Sequence, residues 1–194
     1  MCGIVGYIGE REACGVLLGG LRELEYRGYD SAGVALLEGG RLARFKAVGK
    51  LDNLVSRVGD HRIAGAVAGI GHTRWATHGK PTEANAHPHG LTHSQVVHNR
   101  IIENHLALRE RIPGNYVSQT DTEVIVHLFE HFLEQQAPGD NAALAAFRAT
   151  LDALEGAYAI LLVTETRPGE IFFARQGSPL QVSHVDSGCY FASS

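Results

Sequence analysis

Apolar positions recur along the chain with two periods, one typical of helices and one typical of strands. Residues 11–25 carry apolar side chains at three- and four-residue spacing, and residues 120–136 form a second and clearer stripe of this kind. This spacing predicts two helices that each lie on the core by one face. Two further helices are predicted at residues 50–58 and 142–154.

Short apolar runs bounded by glycine and polar residues predict the strands. Residues 34–37 and 42–47 flank Glu38-Gly39-Gly40-Arg41, which predicts a hairpin. Periodicity alone indicates a mixed α/β or α+β domain, because it does not tell how layers stack. The other strands are predicted at residues 3–8, 66–72, 95–99, 156–163, 171–174 and 180–183.

Composition narrows the class of protein. The chain has 194 residues, 44% of them hydrophobic and 20% charged, which is ordinary for one soluble domain. A net charge of −4 without any basic run argues against a nucleic-acid partner. The sequence shows no run long enough for a membrane span and no signal-peptide layout. An odd set of three cysteines without CxxC spacing disfavours a disulfide framework and structural zinc, and predicts a cytoplasmic location.

The N-terminus holds the first candidate chemistry. Removal of Met1 would leave Cys2 with both a thiol and a free α-amine. The thiolate is a nucleophile, and an α-amine with a pKa near ~7.7–8.0 can accept its proton. Nucleophile and general base would then share one residue, as in threonine hydrolases. On position alone Cys2 is more readily a buried strand residue, and retained Met1 would block the amine and leave the protein inactive.

Two motifs carry a resemblance to a known family. Cys2-Gly3-Ile4-Val5-Gly6 resembles the start of the class II, N-terminal-nucleophile glutamine amidotransferases. Glu25-Tyr26-Arg27-Gly28-Tyr29-Asp30-Ser31-Ala32-Gly33 reads by composition as a loop, and it resembles a signature of the glutaminase domains of glutamine–fructose-6-phosphate aminotransferases. The resemblance implies an α+β fold, the four-layer αββα sandwich with two antiparallel sheets. It implies no metal and no cofactor, and it places Arg27 behind the residues that touch substrate.

A third motif, Gly71 to Gly79, follows a predicted strand. Arginine can grip a carboxylate with two parallel hydrogen bonds, although a single arginine is more often a surface residue. The resemblance implies that Arg74 holds the glutamine carboxylate and that Thr77 and His78 line the glutamine pocket. Trp75 is either a core residue or, as the resemblance implies, a gate on the ammonia passage.

Histidines at 87, 89, 93 and 98 raise the question of a metal site. His-x-His is a fair ligand pattern, but no third ligand stands out by spacing. We therefore expect a structured loop, with His87 packed near the pocket.

Asn99 and Arg100 mark the main departure from the family pattern. The resemblance implies an oxyanion hole made of the Asn99 side-chain amide and the backbone N–H of residue 100, where the family has glycine. One such donor is worth ~3–4 kcal/mol. If the backbone at Arg100 requires a positive φ, a residue other than glycine carries strain of ~1–3 kcal/mol.

Thr120 and Glu123 have the spacing of a capping box at the start of the clearest helix. Asp121 would then lie in the first turn, where the helix dipole stabilises an acid. The resemblance gives Asp121 a further role, as the partner of the glutamine α-ammonium.

The resemblance as a whole predicts hydrolysis of glutamine to glutamate and ammonia. It implies a glutaminase domain over residues 2–194 that is truncated at its C-terminus, without the sugar-phosphate isomerase domains that would take fructose-6-phosphate. The full-length enzyme is expected to be a homo-oligomer. Two alternatives remain open: the glutaminase domain of another class II amidotransferase, and a catalytically impaired domain that binds glutamine or a protein partner.

Overall fold

The computed structural model describes residues 2–59, 65–76 and 79–193. Ten strands and five helices are described there, together with a short 3-10 helix at Glu25–Arg27. The helices are α1 (Ala13–Leu24), α2 (Leu51–Val58), α3 (His105–Arg111), α4 (Glu123–Glu134) and α5 (Ala142–Ala153). The strands are β1 (Gly3–Gly9), β2 (Ser31–Glu38), β3 (Arg41–Val48), β4 (Ala68–Arg74), β5 (His89–Gly90), β6 (Ser94–Ile102), β7 (Gly156–Thr164), β8 (Phe172–Gln176), β9 (Gln181–Val185) and β10 (Gly188–Ala192).

The strands form two antiparallel sheets. The first sheet has the order β3-β2-β4-β1-β10-β9, and the second has the order β5-β6-β7-β8. In the first sheet β4 lies between β1 and β2, so that Gly3 faces Thr73 and Ser31 faces Arg74. In the second sheet β6 pairs with β7 along nine residue pairs, from Ser94 to Ile102. The long central strands of each sheet therefore end near the residues singled out by the sequence.

Three separate groups of buried apolar residues show how the layers stack. One group lies between α1, α2 and the outer face of the first sheet and includes Leu17, Val34 and Leu54. A second lies between the sheets and includes Ile70 and Leu161. The third lies between the second sheet and the helices α3, α4 and α5. This arrangement confirms the four-layer αββα sandwich with two antiparallel sheets.

The predicted hairpin is confirmed. Strands β2 and β3 pair in register from Ser31 with Val48 to Glu38 with Arg41. The two residues between them, Gly39 and Gly40, have φ of 53° and 79°. Both values lie in the left-handed region that glycine adopts without steric cost, and a two-residue turn of this kind matches the twist of the flanking strands.

The predicted capping box is wrong. Helix α4 begins at Glu123 and no side chain caps it. Thr120 lies outside the helix, where its hydroxyl bonds to Ser118 and His89. The Glu123 carboxylate accepts hydrogen bonds from the backbone N–H groups of Val117 and Ser118 instead. Tertiary partners have therefore replaced the local pair, and Asp121 precedes the helix.

Four elements were not predicted: α3, β5, β10 and the 3-10 helix at Glu25–Arg27, which lies in a segment predicted as a loop. Strand β10 pairs with β1 on one side and with β9 on the other. Its residues are half-buried and show no clear alternation, so pairing rather than local pattern makes this segment a strand. No helix in the described ranges is long and apolar enough to cross a membrane.

Candidate active site

One small cavity brings together candidate residues from both sheets. It measures about 30 Å³, and its wall includes Cys2, Arg74, Arg100 and Asp121. Cys2 and Arg74 come from the first sheet, where Cys2 precedes β1 and Arg74 ends β4. Arg100 lies on β6 of the second sheet, and Asp121 lies in the segment before α4. Residues separated by up to 119 positions in the sequence thus meet at one site.

The Cys2 thiol lies against the backbone of Trp75. Its Sγ atom accepts a hydrogen bond from the Trp75 N–H at 3.4 Å and is 3.7 Å from the Trp75 carbonyl oxygen. Burial raises the pKa of the thiol, while the Trp75 N–H and the charge of Arg74 act in the opposite direction. A thiol in this setting needs a base to become a thiolate.

Close backbone packing fixes the loop after Arg74. A Cβ at Gly28 would lie 2.5 Å from the Arg74 carbonyl carbon, so only glycine fits there. Asp30 adds two contacts, because its N–H donates to the Arg74 carbonyl and its carboxylate accepts from the Ala76 N–H. The segment Glu25 to Gly33 therefore acts as a support for residues 74–76.

Arg74 is 3% exposed. Its guanidinium donates to the carbonyl oxygens of Gly79 and Lys80, both at 3.2 Å. Burial lowers its pKa, and the nearby thiol and carboxylates of Cys2, Asp30 and Asp121 partly offset this effect. The other two residues predicted to bind glutamine from this motif, Thr77 and His78, lie outside the described residues, as does Met1.

Asn99 and Arg100 reach the site at the end of β6 that faces Cys2. The Asn99 Nδ2 atom donates to the Cys2 carbonyl oxygen at 3.1 Å, and its Oδ1 atom accepts from the Arg100 N–H at 3.0 Å. Both predicted oxyanion donors are thus near Cys2 and already engaged. Arg100 has a φ of 87°, the one positive value of a residue other than glycine in the described chain. The strain expected at this position therefore applies.

Asp121 is held by the backbone of β6. Its Oδ2 atom accepts from the Ile102 N–H at 2.7 Å and is 4.0 Å from the His98 ring. The Thr122 hydroxyl contacts both His98, at 2.9 Å, and His87, at 2.8 Å. The carboxylate is therefore fixed by the second sheet rather than by a helix terminus.

His87 belongs to a group of buried histidines between the sheets. Its ring stacks on His72 with centroids 3.8 Å apart, and His89 lies edge-on to it at 4.6 Å. Burial lowers the pKa of His72 to about 3 and lowers the pKa of His87 and His89 well below their ordinary value. These rings are neutral at pH 7. Among the described residues, no group of three or more His, Cys, Asp or Glu side chains could hold a metal ion.

Trp75 and Arg27, both predicted to belong to the site, lie at its edge or outside it. Trp75 also lines the cavity but is 43% exposed, with its ring edge-on to Tyr29 at a centroid distance of 5.4 Å. It is therefore not a core residue. The Arg27 side chain contacts its neighbour Tyr26 and does not line the cavity.

Sequence reasoning missed three contributors, Asp30, His98 and Thr122. Asp30 lies inside the Glu25–Gly33 motif, so a carboxylate two positions after Gly28 is an available signal. For His98 the sequence suggests only a metal ligand, and for Thr122 it gives no signal. The link between the two depends on how β6 packs against the start of α4, which no spacing reveals.

Comparisons with known proteins show the family of the chain. Residues 72–194 match the family model of the glutamine amidotransferase domain. The whole chain is 48% identical to part of a glutamine–fructose-6-phosphate aminotransferase (isomerizing) of Campylobacter jejuni and of Helicobacter pylori, and covers 32% of each. A protein of the same name from Thermosynechococcus vestitus is 49% identical over the whole chain, which covers 31% of it. The chain spans about a third of the length of these curated relatives.

Solved structures share the fold. Over 99% of the chain, a glutamine phosphoribosylpyrophosphate amidotransferase from B. subtilis superimposes with a TM-score of 0.80 and 25% identity, the chain covering 42% of that protein. A class II glutamine aminotransferase domain protein from Silicibacter pomeroyi shares the fold alone, with a TM-score of 0.55 and 15% identity over 99% of this chain and 88% of that one. With its family model matched over more than half its length, this chain belongs to the glutamine amidotransferase domain family.

Proposed function

We propose that the chain hydrolyses the side-chain amide of glutamine, with Cys2 as the nucleophile. The observation that carries the proposal is the meeting of the Cys2 thiol with Arg74 and Asp121 around one cavity. A cation and an anion on opposite walls match the α-carboxylate and α-ammonium of a free amino acid. The family to which the chain belongs supports the same substrate.

In the proposed reaction, the α-amine of processed Cys2 takes the thiol proton and the thiolate attacks the amide carbon. Asn99 Nδ2 and the N–H of Arg100 stabilise the oxyanion, which requires them to leave their present acceptors, the Cys2 carbonyl and the Asn99 side chain. The tetrahedral intermediate collapses and expels ammonia, which carries away the proton held by the amine. Water then attacks the thioester, and glutamate and the thiol are released.

Other residues would position these groups. Asp30 and Gly28 fix the loop that carries the Trp75 N–H, and this N–H donates to the Cys2 sulfur. His98 and Thr122 lie behind Asp121. In this scheme Thr77, His78 and His87 line the pocket, Trp75 borders the exit of ammonia and Arg27 supports the loop from outside.

The names of the relatives suggest a larger setting. We propose that the chain is the glutaminase domain, over residues 2–194, of a glutamine–fructose-6-phosphate aminotransferase. Its ammonia would serve glucosamine-6-phosphate synthesis from fructose-6-phosphate in a part of the enzyme outside this chain. The higher identity to these relatives, 48% against 25% for the phosphoribosylpyrophosphate amidotransferase, favours this acceptor over the alternatives. A homo-oligomeric, cytoplasmic enzyme is proposed with it, and its three free thiols suit a reducing compartment.

Ammonia release from glutamine, measured together with intact mass, tests the proposal. Material lacking Met1 should release ammonia, and Cys2→Ala should lower the rate by at least about 10³-fold, because the nucleophile is lost. A glutamine-analogue diazoketone should label Cys2, and glutamine should protect it. Cys14→Ala is the control, since this second cysteine lies on the buried face of α1, and its substitution should leave rate and labelling unchanged.

Two results would contradict the proposal. Undiminished ammonia release by methionine-free Cys2→Ala would exclude the nucleophile. Labelling of Cys2 that glutamine does not slow would favour an impaired domain that does not bind glutamine as proposed.

A further inference from the structure

A second and larger cavity lies apart from the candidate active site. It measures about 510 Å³, and none of the residues in its wall belongs to the wall of the small cavity. Arg44, Lys46 and Arg57 contribute cationic side chains to it, His89 contributes a neutral ring, and Glu83 and Glu123 contribute carboxylates. Its volume is in the range of pockets that hold small ligands.

Two cations in this wall have no counter-charge bonded to them. Lys46 is 8% exposed, yet its ammonium makes no hydrogen bond and no ion pair with any residue in the described ranges. Arg44 lies two positions earlier on β3, so both side chains project from the same face of the sheet. A lysine is almost never buried this deeply unless it is paired. Burial, and then the charge of Arg44, lower the pKa of Lys46 to about 8, so it is still mainly protonated at pH 7.

The carboxylates of the cavity are already engaged elsewhere. Glu83 pairs with Arg57 through two contacts, at 2.8 and 3.3 Å. Glu123 accepts from the Val117 and Ser118 N–H groups at 2.9 and 2.7 Å. Burial opposes its ionisation, but hydrogen bonds from Ser118 and the backbone, together with the His127 ring 3.8 Å away, outweigh burial and lower its pKa to about 2. Arg44 and Lys46 therefore have no carboxylate bonded to them and are available to a ligand, although the charges of Glu83 and Glu123 partly offset the fall in the pKa of Lys46.

We propose that this cavity binds a small phosphate monoester, with Lys46 and Arg44 holding the phosphate. Two adjacent cations match a dianion better than a single carboxylate, and an arginine fork beside a lysine point charge is a common phosphate-binding combination. The volume left beyond the phosphate, with Asn115 and Glu83 in its wall, suits a hydroxylated carbon chain such as a sugar. The site uses no residue of the proposed glutaminase mechanism and is independent of that proposal.

Isothermal titration calorimetry of the whole chain at low salt and pH 7 tests this, with glucose 6-phosphate, inorganic phosphate and glucose as probes. Glucose 6-phosphate should bind with one-to-one stoichiometry and glucose should not bind. If inorganic phosphate binds as tightly as glucose 6-phosphate, the phosphate group alone provides the affinity. If inorganic phosphate binds more weakly, the sugar also contributes. Lys46→Met and Arg44→Gln should each weaken binding by about tenfold or more.

Arg41→Gln is the matched control, because Arg41 lies on the same strand but outside the cavity wall. It removes the same charge and should change affinity by less than about twofold. The proposal is overturned if no probe binds saturably up to about 10 mM, or if Arg41→Gln weakens binding as much as Arg44→Gln. Arg44 is exposed, so its variant stays informative even where Lys46→Met does not fold.

Discussion

The two walls of the candidate active site differ in how their residues suit the backbone conformation that each wall requires. The first wall consists of Cys2, the end of β4 and the segment 25–33. Wherever its backbones approach each other, glycine is present: a Cβ would lie 2.5 Å from Arg74 at Gly28 and 2.0 Å from the His87 carbonyl oxygen at Gly33. The second wall consists of β6 from His98 to Ile102 and the segment 120–122. Its Arg100 has a φ of 87° without being glycine.

The first wall is therefore packed without strain, whereas the second wall contains a strained residue. The first wall needs glycine for space, and the chain supplies it. The second wall needs a conformation that glycine adopts at no steric cost, and here an arginine stores strain of ~1–3 kcal/mol beside the nucleophile. Arg100 also lines the small cavity, in the same wall as Cys2 and Asp121.

The largest expected effect concerns the histidines between the two walls. Because the folded-state pKa values of His72, His87 and His89 lie below the ordinary value, unfolding takes up protons below about pH 6.5. The contribution of these histidines to the free energy of unfolding is complete above that pH. It is lost as the pH falls, at up to about 4 kcal/mol per pH unit for three rings. Urea unfolding between about pH 5 and 7 measures this slope.

A matched pair of variants tests whether the buried histidines cause this pH dependence of the free energy of unfolding. His72→Asn should reduce it by about 1.4 kcal/mol per pH unit, whereas His184→Asn, at an exposed position on β9, should not change it. An equal slope in both variants would mean that the buried rings are not the source.

The second wall should also control recognition of the substrate amine. Asp121→Asn keeps the acceptor for the Ile102 N–H but removes the negative charge. We expect kcat/KM for glutamine to fall by about 10–100-fold, the cost of one charged hydrogen bond. The control uses the wild type and the variant with glutaramate, which lacks the α-amine, and there the two rates should be similar. A similar loss with glutaramate would contradict the role given to Asp121.

The first wall should be sensitive to a single methyl group. Gly28→Ala should lower the free energy of unfolding by about 1–3 kcal/mol, because the added Cβ meets backbone atoms that cannot move aside. Gly19→Ala in α1 is the matched control, since its Cβ meets nothing within 4 Å and alanine favours a helix. Chemical denaturation should show the two variants moving in opposite directions, and a shared direction would refute the packing argument.

The smallest effect is expected at Arg100. Arg100→Gly should raise the free energy of unfolding by about 1 kcal/mol, the relief of strain less the added freedom of the unfolded chain. It should also raise the rate of ammonia release a few-fold (roughly 2–5) by freeing the wall of the small cavity. Arg100→Ala separates the effect of the backbone strain from that of the long side chain, because it removes the side chain and keeps the strained backbone. An unchanged or lower rate in Arg100→Gly would count against the oxyanion hole proposed at residues 99 and 100.

Much of the architecture was within reach of the sequence alone. The stripe at Val124, Ile125, Leu128 and Phe129 predicts α4, and those side chains are fully buried. Glu38 to Arg41 predicts the turn between β2 and β3. These signals are local, because helix and hairpin patterns repeat within a few residues. Through its resemblance to a family, the sequence also implied Cys2, Arg74, Arg100 and Asp121 as site residues, and the fold brings them to one cavity.

Tertiary structure decided what depends on distant partners. Thr120 and Glu123 are spaced as a capping box, yet each found better acceptors and donors in His89, Ser118 and Val117. Lys46 is an ordinary basic residue of a strand in the sequence. Only the tertiary arrangement, which places it in one cavity wall with residues of α2, β5 and α4, leaves its ammonium without a bonded partner among the described residues. Spacing along a chain fixes which face a side chain takes, whereas its solvation and its partners follow from the other layers.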